Sequence, residues 1–177
     1  MDRAWVEEKI SALPLAQYAW VRAEDMTFSE RIRYVCKTEC PMYGKSWACP
    51  PAVGTVAECR ERCGRFEEAL IITTVTEVQD IADIRETLST RAPHEEITRQ
   101  VREILAEQAA EVLVLSTEAC AFCEHCTYPE GKPCRHPERM FPCVESYGIV
   151  ATDLAEKYEI EFFNGNLVTW FSILFYR

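Results

Sequence analysis

The stretch CAFCEHCTYPEGKPCRHPE, residues 120 to 138, limits what this chain can become more than any other. Cys120, Cys123, Cys126 and Cys134 are spaced C-x2-C-x2-C-x7-C. Two-residue gaps let successive thiolates converge on one centre while loop N–H groups turn toward the sulfurs, as in the cysteine run of bacterial ferredoxins. Such a segment is a long loop that a scaffold must carry. Four thiolates complete a ligand set, and three consecutive cysteines at one spacing suit the corners of an iron–sulfur cube. A structural zinc site also takes four thiolates but usually draws them as two separated C-x2-C knuckles, so zinc is the alternative. A redox pair at Cys120 and Cys123 would ordinarily open a helix, and no helical pattern continues there.

A second run, CKTECPMYGKSWACPP (36 to 51), sets Cys36, Cys40 and Cys49 at C-x3-C-x8-C. The eight-residue gap excludes the radical-initiating C-x3-C-x2-C arrangement. Three thiolates need a fourth. Cys59 and Cys63 lie four apart on a helix expected from about 55 to 66, on one face with Val56 and Phe66. Both suit a core, since free cysteine is among the most buried residue types. Cys59, nearer to Cys49, is the favoured fourth ligand, with the core reading beside it. Cys63, on the same face, is the alternative fourth ligand, and Cys143, outside both spacings, reads as an unligated thiol. His125 and His136 adjoin ligands, where bonding to thiolate sulfur or facing water is favoured over direct ligation. Lys132 and Arg135 would favour a reduced, more negative cluster or simply be solvated loop charges. Trp47, Tyr43 and Tyr128 shield the clusters from water or pack the loops.

Ten cysteines in 177 residues would suggest disulfides in a secreted chain. The start, MDRAWVEEKI, carries acids where a signal peptide needs a basic and then apolar run, so a reducing, cytoplasmic setting is expected and metal ligation leads. The net charge of −10 argues against nucleic acid and anionic membranes as partners. No stretch reaches the roughly 18 to 20 apolar residues of a spanning helix. No phosphate loop, nucleophile elbow or histidine–serine set is present.

Periodicity predicts helices over 3–12, from a Thr27–Glu30 capping box to just before Cys36, and over 55–66 from a Thr55–Glu58 box. Strands are expected at 17–21, 69–78, 112–117 and 167–176, the last apolar at both parities as if covered on both faces. Val78, Ile81, Ile84 and Leu88 share one helical face, and Ile97, Val101, Ile104, Leu105 and Ala109 form a longer stripe after Pro93. Pro142 should open a short helix ended by Gly148, and 152–158 is another. The expected fold is a single-domain, layered α/β fold over residues 1–177, with a small mostly buried sheet of about four strands, flanking helices and cysteine loops at 36–63 and 120–143.

With both loops in hand, the chain resembles the predicted metal-binding family catalogued as domain of unknown function 2284. The matching stretches are C-x3-C-P-x-Y-G-K-S-W-A-C-P-P (36 to 51), AECRER (57 to 62), C-x2-C-x2-C-T-Y-P-E-G-K-P-C-R-H-P (120 to 137), ES-x-G-I (145 to 149) and G-N-L-V-T-W-F (165 to 171). The resemblance implies cysteine-bound metal, most plausibly iron–sulfur, in proteins found largely in anaerobic microbes, and supplies no reaction. The expectation is two [4Fe–4S] clusters, one on Cys36, Cys40, Cys49 and Cys59, the other on Cys120, Cys123, Cys126 and Cys134. Electron transfer with a redox protein partner is favoured over enzymatic work. The alternatives are a zinc-binding structural or interaction module, and an enzyme in which Cys36, Cys40 and Cys49 leave one iron open.

Overall fold

A computed structural model describes residues 1–120, 122–163 and 165–177. Strands β1 (Gln17–Arg22), β2 (Glu68–Glu77), β3 (Val112–Leu115) and β4 (Leu167–Tyr176) make one sheet in the order β1-β2-β4-β3, with every pairing antiparallel. Helices α1 (Arg3–Ile10), α2 (Glu30–Thr38), α3 (Val56–Cys63), α4 (Ile84–Ser89), α5 (Arg91–Ala106) and α6 (Ala151–Lys157) flank it. This is the mixed α/β layer fold expected, with four strands.

Side chains alternate across a strand, so β2 and β4 feed two cores at once. Ala69, Ile71, Phe171, Ile173 and Phe175 pack with Cys59 and Cys63 from α3, Phe66 just beyond it, Tyr147, and Leu154 from α6. Leu70, Ile72 and Leu174 face the other way, onto Val6 and Ile10 of α1 and Ile97, Val101 and Leu105 of α5. β4 is therefore covered on both faces, which is why its sequence shows no alternation.

β3 has four residues and β4 has ten, so their pairing reaches only from Ile173 to Tyr176. The first half of β4, with Val168 and Trp170, runs past the end of β3. There the chain leaves Leu115 for the second cysteine loop. The short edge strand thus leaves room at one end of the sheet, and both cysteine loops gather in it.

Local chemistry moves several boundaries. Thr55 and Glu58 form the expected capping box on α3, with Thr55 Oγ1 accepting from the Glu58 N–H and Glu58 Oε2 from the Thr55 N–H. For α2 the cap is Ser29, whose Oγ accepts from the Arg31 N–H at 3.2 Å, and not Thr27, whose carbonyl is taken by the Val150 N–H. α2 also continues through Cys36, so that cysteine is helical. Val78 and Ile81 precede α4, which starts after the cap Asp83, and do not share its helical face. α5 begins at Arg91 and holds Pro93 in its first turn, where a missing N–H removes no helical bond. Pro142 opens no helix; it lies beside Ser116, and a single 3-10 turn, Glu145–Tyr147, precedes Gly148 at φ 78. Among the described residues no helix is long and apolar enough to cross a membrane.

Candidate metal centre

Cys120, Cys123, Cys126 and Cys134 all border one tight cavity of about 20 Å³, together with Trp47, Phe122, Arg135, His136 and Met140. The long gap before Cys134 is folded back by Thr127, which accepts the Lys132 N–H at 3.2 Å through its carbonyl and donates its hydroxyl to Pro133 O at 2.8 Å. Gly131 sits at φ 66 in this turn, a conformation that favours glycine. The Phe122 N–H bonds to the Cys120 sulfur, while burial pushes that thiol's pKa up. Phe122 meets His136 edge-on at 4.7 Å between centroids, and the Arg139 guanidinium lies 4.1 Å from the Phe122 ring, so the cavity has an aromatic cover. His136 faces this cavity; His125 is highly exposed, and its carbonyl accepts from Arg135 Nη1 at 2.8 Å.

The first loop borders a cavity of its own, about 290 Å³, lined by Cys36, Cys40, Cys49 and Cys143 with Glu118 and Glu145. Cys36 comes from the last turn of α2, which packs on the 145–147 turn, and its sulfur lies 4.0 Å from Glu145 O. Burial pushes the Cys49 thiol up to about 12, and the neighbouring Cys40 and Cys36 add to the rise. The Cys143 sulfur accepts the Ser146 N–H at 3.3 Å and its S–H points at Glu145 Oε2, also at 3.3 Å.

Cys59 lies elsewhere. It is fully buried on α3 in the core. There its sulfur accepts from Arg33 Nη2 at 3.7 Å and Arg62 Nη2 at 3.5 Å and donates to Val53 O at 3.5 Å. Cys63, one turn on, is buried beside it, its thiol raised to about 12 by desolvation. The structure therefore gathers Cys36, Cys40 and Cys49 with Cys143, which sequence spacing had set aside. Nothing in the spacing singled Cys143 out, since the sequence placed it in a short helix opened by Pro142.

The two loops are fastened together. Trp47 of the first donates its Nε1–H to Lys132 O of the second at 3.1 Å and packs edge-on against Tyr128 at 4.9 Å. Beside them runs a groove of about 980 Å³ bordered by Cys40 from the first centre and Cys120, Cys123 and Cys126 from the second. Ile84, Leu88 and Trp170 form its apolar wall. Glu118, left-handed at φ 53, turns the chain between the two centres and borders both the groove and the first cavity. Among the described residues no three His, Cys, Asp or Glu side chains converge as a single-ion site; the thiols ring cavities instead.

Soft sulfur donors under apolar cover, with N–H groups already aimed at two of the sulfurs, match the ligand preferences of a thiophilic metal. Such a molecule is a cysteine-rich α/β protein of the metal-binding class. The chain belongs to the family described as predicted metal-binding protein (DUF2284), whose model matches residues 19–176. No curated protein and no solved structure matches it.

Proposed function

We propose that this protein carries two [4Fe–4S] clusters and passes single electrons to and from a redox protein. Cys120, Cys123, Cys126 and Cys134 hold one cluster. Cys36, Cys40 and Cys49 hold the other, completed by one further thiol. The observation that carries the reading is that all four cysteines of the C-x2-C-x2-C-x7-C run border one cavity beside a groove shared with the first loop.

A bound cubane would supply one-electron exchange at a potential set by its surroundings. The chain's part is to bind, screen and tune. Phe122 and Trp47 exclude water from the second cavity, and the Phe122 and Ser146 N–H groups bond to the sulfurs. Arg135, bordering that cavity, adds positive charge that favours the more negative reduced state. Because Lys132 is already paired with Glu130 at 2.6 Å, Arg135 is the stronger influence of the two. The net charge of −10 suits a partner with a basic docking patch.

A second reading is favoured by the groove itself. At about 980 Å³, with an apolar wall beside cysteines of both centres, it is the size of a small-molecule site. An enzyme would bind its substrate there, with an iron left open. The test is anaerobic purification followed by redox titration with and without candidate small molecules. Reversible one-electron reduction at all-thiolate clusters supports the carrier, whereas a cluster whose spectrum changes on adding a small molecule supports the enzyme. A colourless, zinc-loaded protein would sink both.

A further inference from the structure

The first loop supplies three thiols, and the fold decides where the fourth comes from. We propose that Cys143, from the opposite half of the chain, is the fourth ligand of the first centre, an inference that rests on the thiolate–metal reading above.

Backbone bonds fix its place. Ser116, just past β3, donates its N–H to Pro142 O at 2.8 Å and accepts the Val144 N–H at 2.9 Å, so residues 142–144 run beside it as a short parallel bridge. The Cys143 N–H bonds to Ala48 O at 3.4 Å, which sets it against the residue next to Cys49. Its side chain then borders the same cavity as Cys36, Cys40 and Cys49. The Ser146 N–H already sits on the sulfur, as N–H groups do on ligating thiolates. Ligation replaces the S–H bond with a sulfur–metal bond, the proton leaves to solvent, and the Ser146 bond is kept.

Cys59 is poorly placed for this role. It does not border the cavity, and reaching it would mean breaking the contacts to Arg33, Arg62 and Val53 and withdrawing from the core. Those two guanidiniums have a structural task instead. Arg33 Nη1 donates to Gly54 O at 2.7 Å and Arg62 Nη1 to Tyr147 OH at 3.0 Å, tying α2, α3 and the 145–147 turn around the Cys59 sulfur. Glu118 and Glu145 are the carboxylates bordering the cavity, and Glu145 is the rival donor closest to Cys143.

The decisive comparison is iron and acid-labile sulfide per chain in wild type, C143S, C59A and E145Q, all purified without oxygen. Two cubes give about eight of each in wild type. The proposal expects C143S to fall to about half while C59A and E145Q stay at the wild-type level. The second centre, kept intact in C143S, reports that the chain has folded. If C143S does not fold, C59A still decides: retention of both clusters supports Cys143, and loss of one overturns it. Full content in C143S with half in C59A or E145Q also overturns it. Should wild type hold zinc, the iron–sulfur reading fails separately, and a fall from two zincs to one in C143S upholds the donor set. Wild type loaded only at the second centre overturns the proposal.

Discussion

His94 sits almost fully buried between α5 and the sheet, its Nδ1 2.9 Å from Thr74 Oγ1 and its Nε2 2.8 Å from Ser172 Oγ. Thr98 and Ser116 extend this hydroxyl network, and the neighbouring Glu95 pairs with Arg91 and Arg99 at 3.9 Å. Burial lowers the imidazole pKa to about 4 from 6.5, so it is neutral in the fold. The unfolded chain takes up a proton near pH 6.5, and the folded chain does not until about pH 4. The contribution of His94 is therefore fully present above 6.5 and is lost as pH falls through this window, by about 3 kcal/mol in all. Denaturant unfolding of wild type and H94Q at pH 7 and pH 5 should show a shallower pH dependence in the variant. An unchanged slope would contradict the assignment. The sequence showed only that no histidine forms a set with a serine; the burial of His94 depends on Thr74 and Ser172 from two different strands. Cys143 was hidden for the same reason, since its neighbours Ala48 and Ser116 are distant in sequence.

At the scale of elements, the turn at Gly148 holds Cys143 and α6 in place. Its φ of 78 and the Val56 side chain 3.0 Å from where a Cβ would stand make glycine necessary. G148A should cost about 2 kcal/mol or more, combining left-handed strain with overpacking, and calorimetry on the purified variant would read it. α3 gives a contrasting case. T55A removes one side of a capping box and should cost about 1 kcal/mol. If α3 carries no ligand, metal content stays at the wild-type level, and a selective loss of one cluster in T55A would speak for Cys59. Trp47 joins the loops, so W47F, which deletes the bond to Lys132 O, should cost about 1 kcal/mol and speed oxygen damage at the second centre. Equal rates of bleaching in air would count against a sealing role. Boundaries read from single residues were accurate where the chemistry was local, as at Thr55 and Glu58. They slipped where another segment decided, as at Thr27, whose carbonyl is claimed by Val150. Val78 and Ile81 kept helical spacing without helix because the chain there turns, with Val78 bonded to Asn166 O.

For the whole molecule, four strands and two cysteine loops were legible because apolar runs and thiol spacings are local patterns. The antiparallel order β1-β2-β4-β3 was not, since it depends on which strands meet. That order makes β3 a short edge and opens the space where both loops meet, and from it follow the shared groove and the juxtaposition of Cys143 with the first loop. Under the proposed electron-carrier function, a net charge of −10 predicts that transfer to a basic partner slows steeply as salt rises. Stopped-flow rates at low and physiological ionic strength would show it, and salt-independent rates would argue for an uncharged docking face. The central claim is that the thiols hold iron–sulfur cubes, and the direct measurement is iron, acid-labile sulfide and zinc in anaerobically purified wild type, beside its visible spectrum. About eight irons and eight sulfides per chain with a brown, reducible chromophore is the predicted result. One or two zincs in a colourless protein would contradict it.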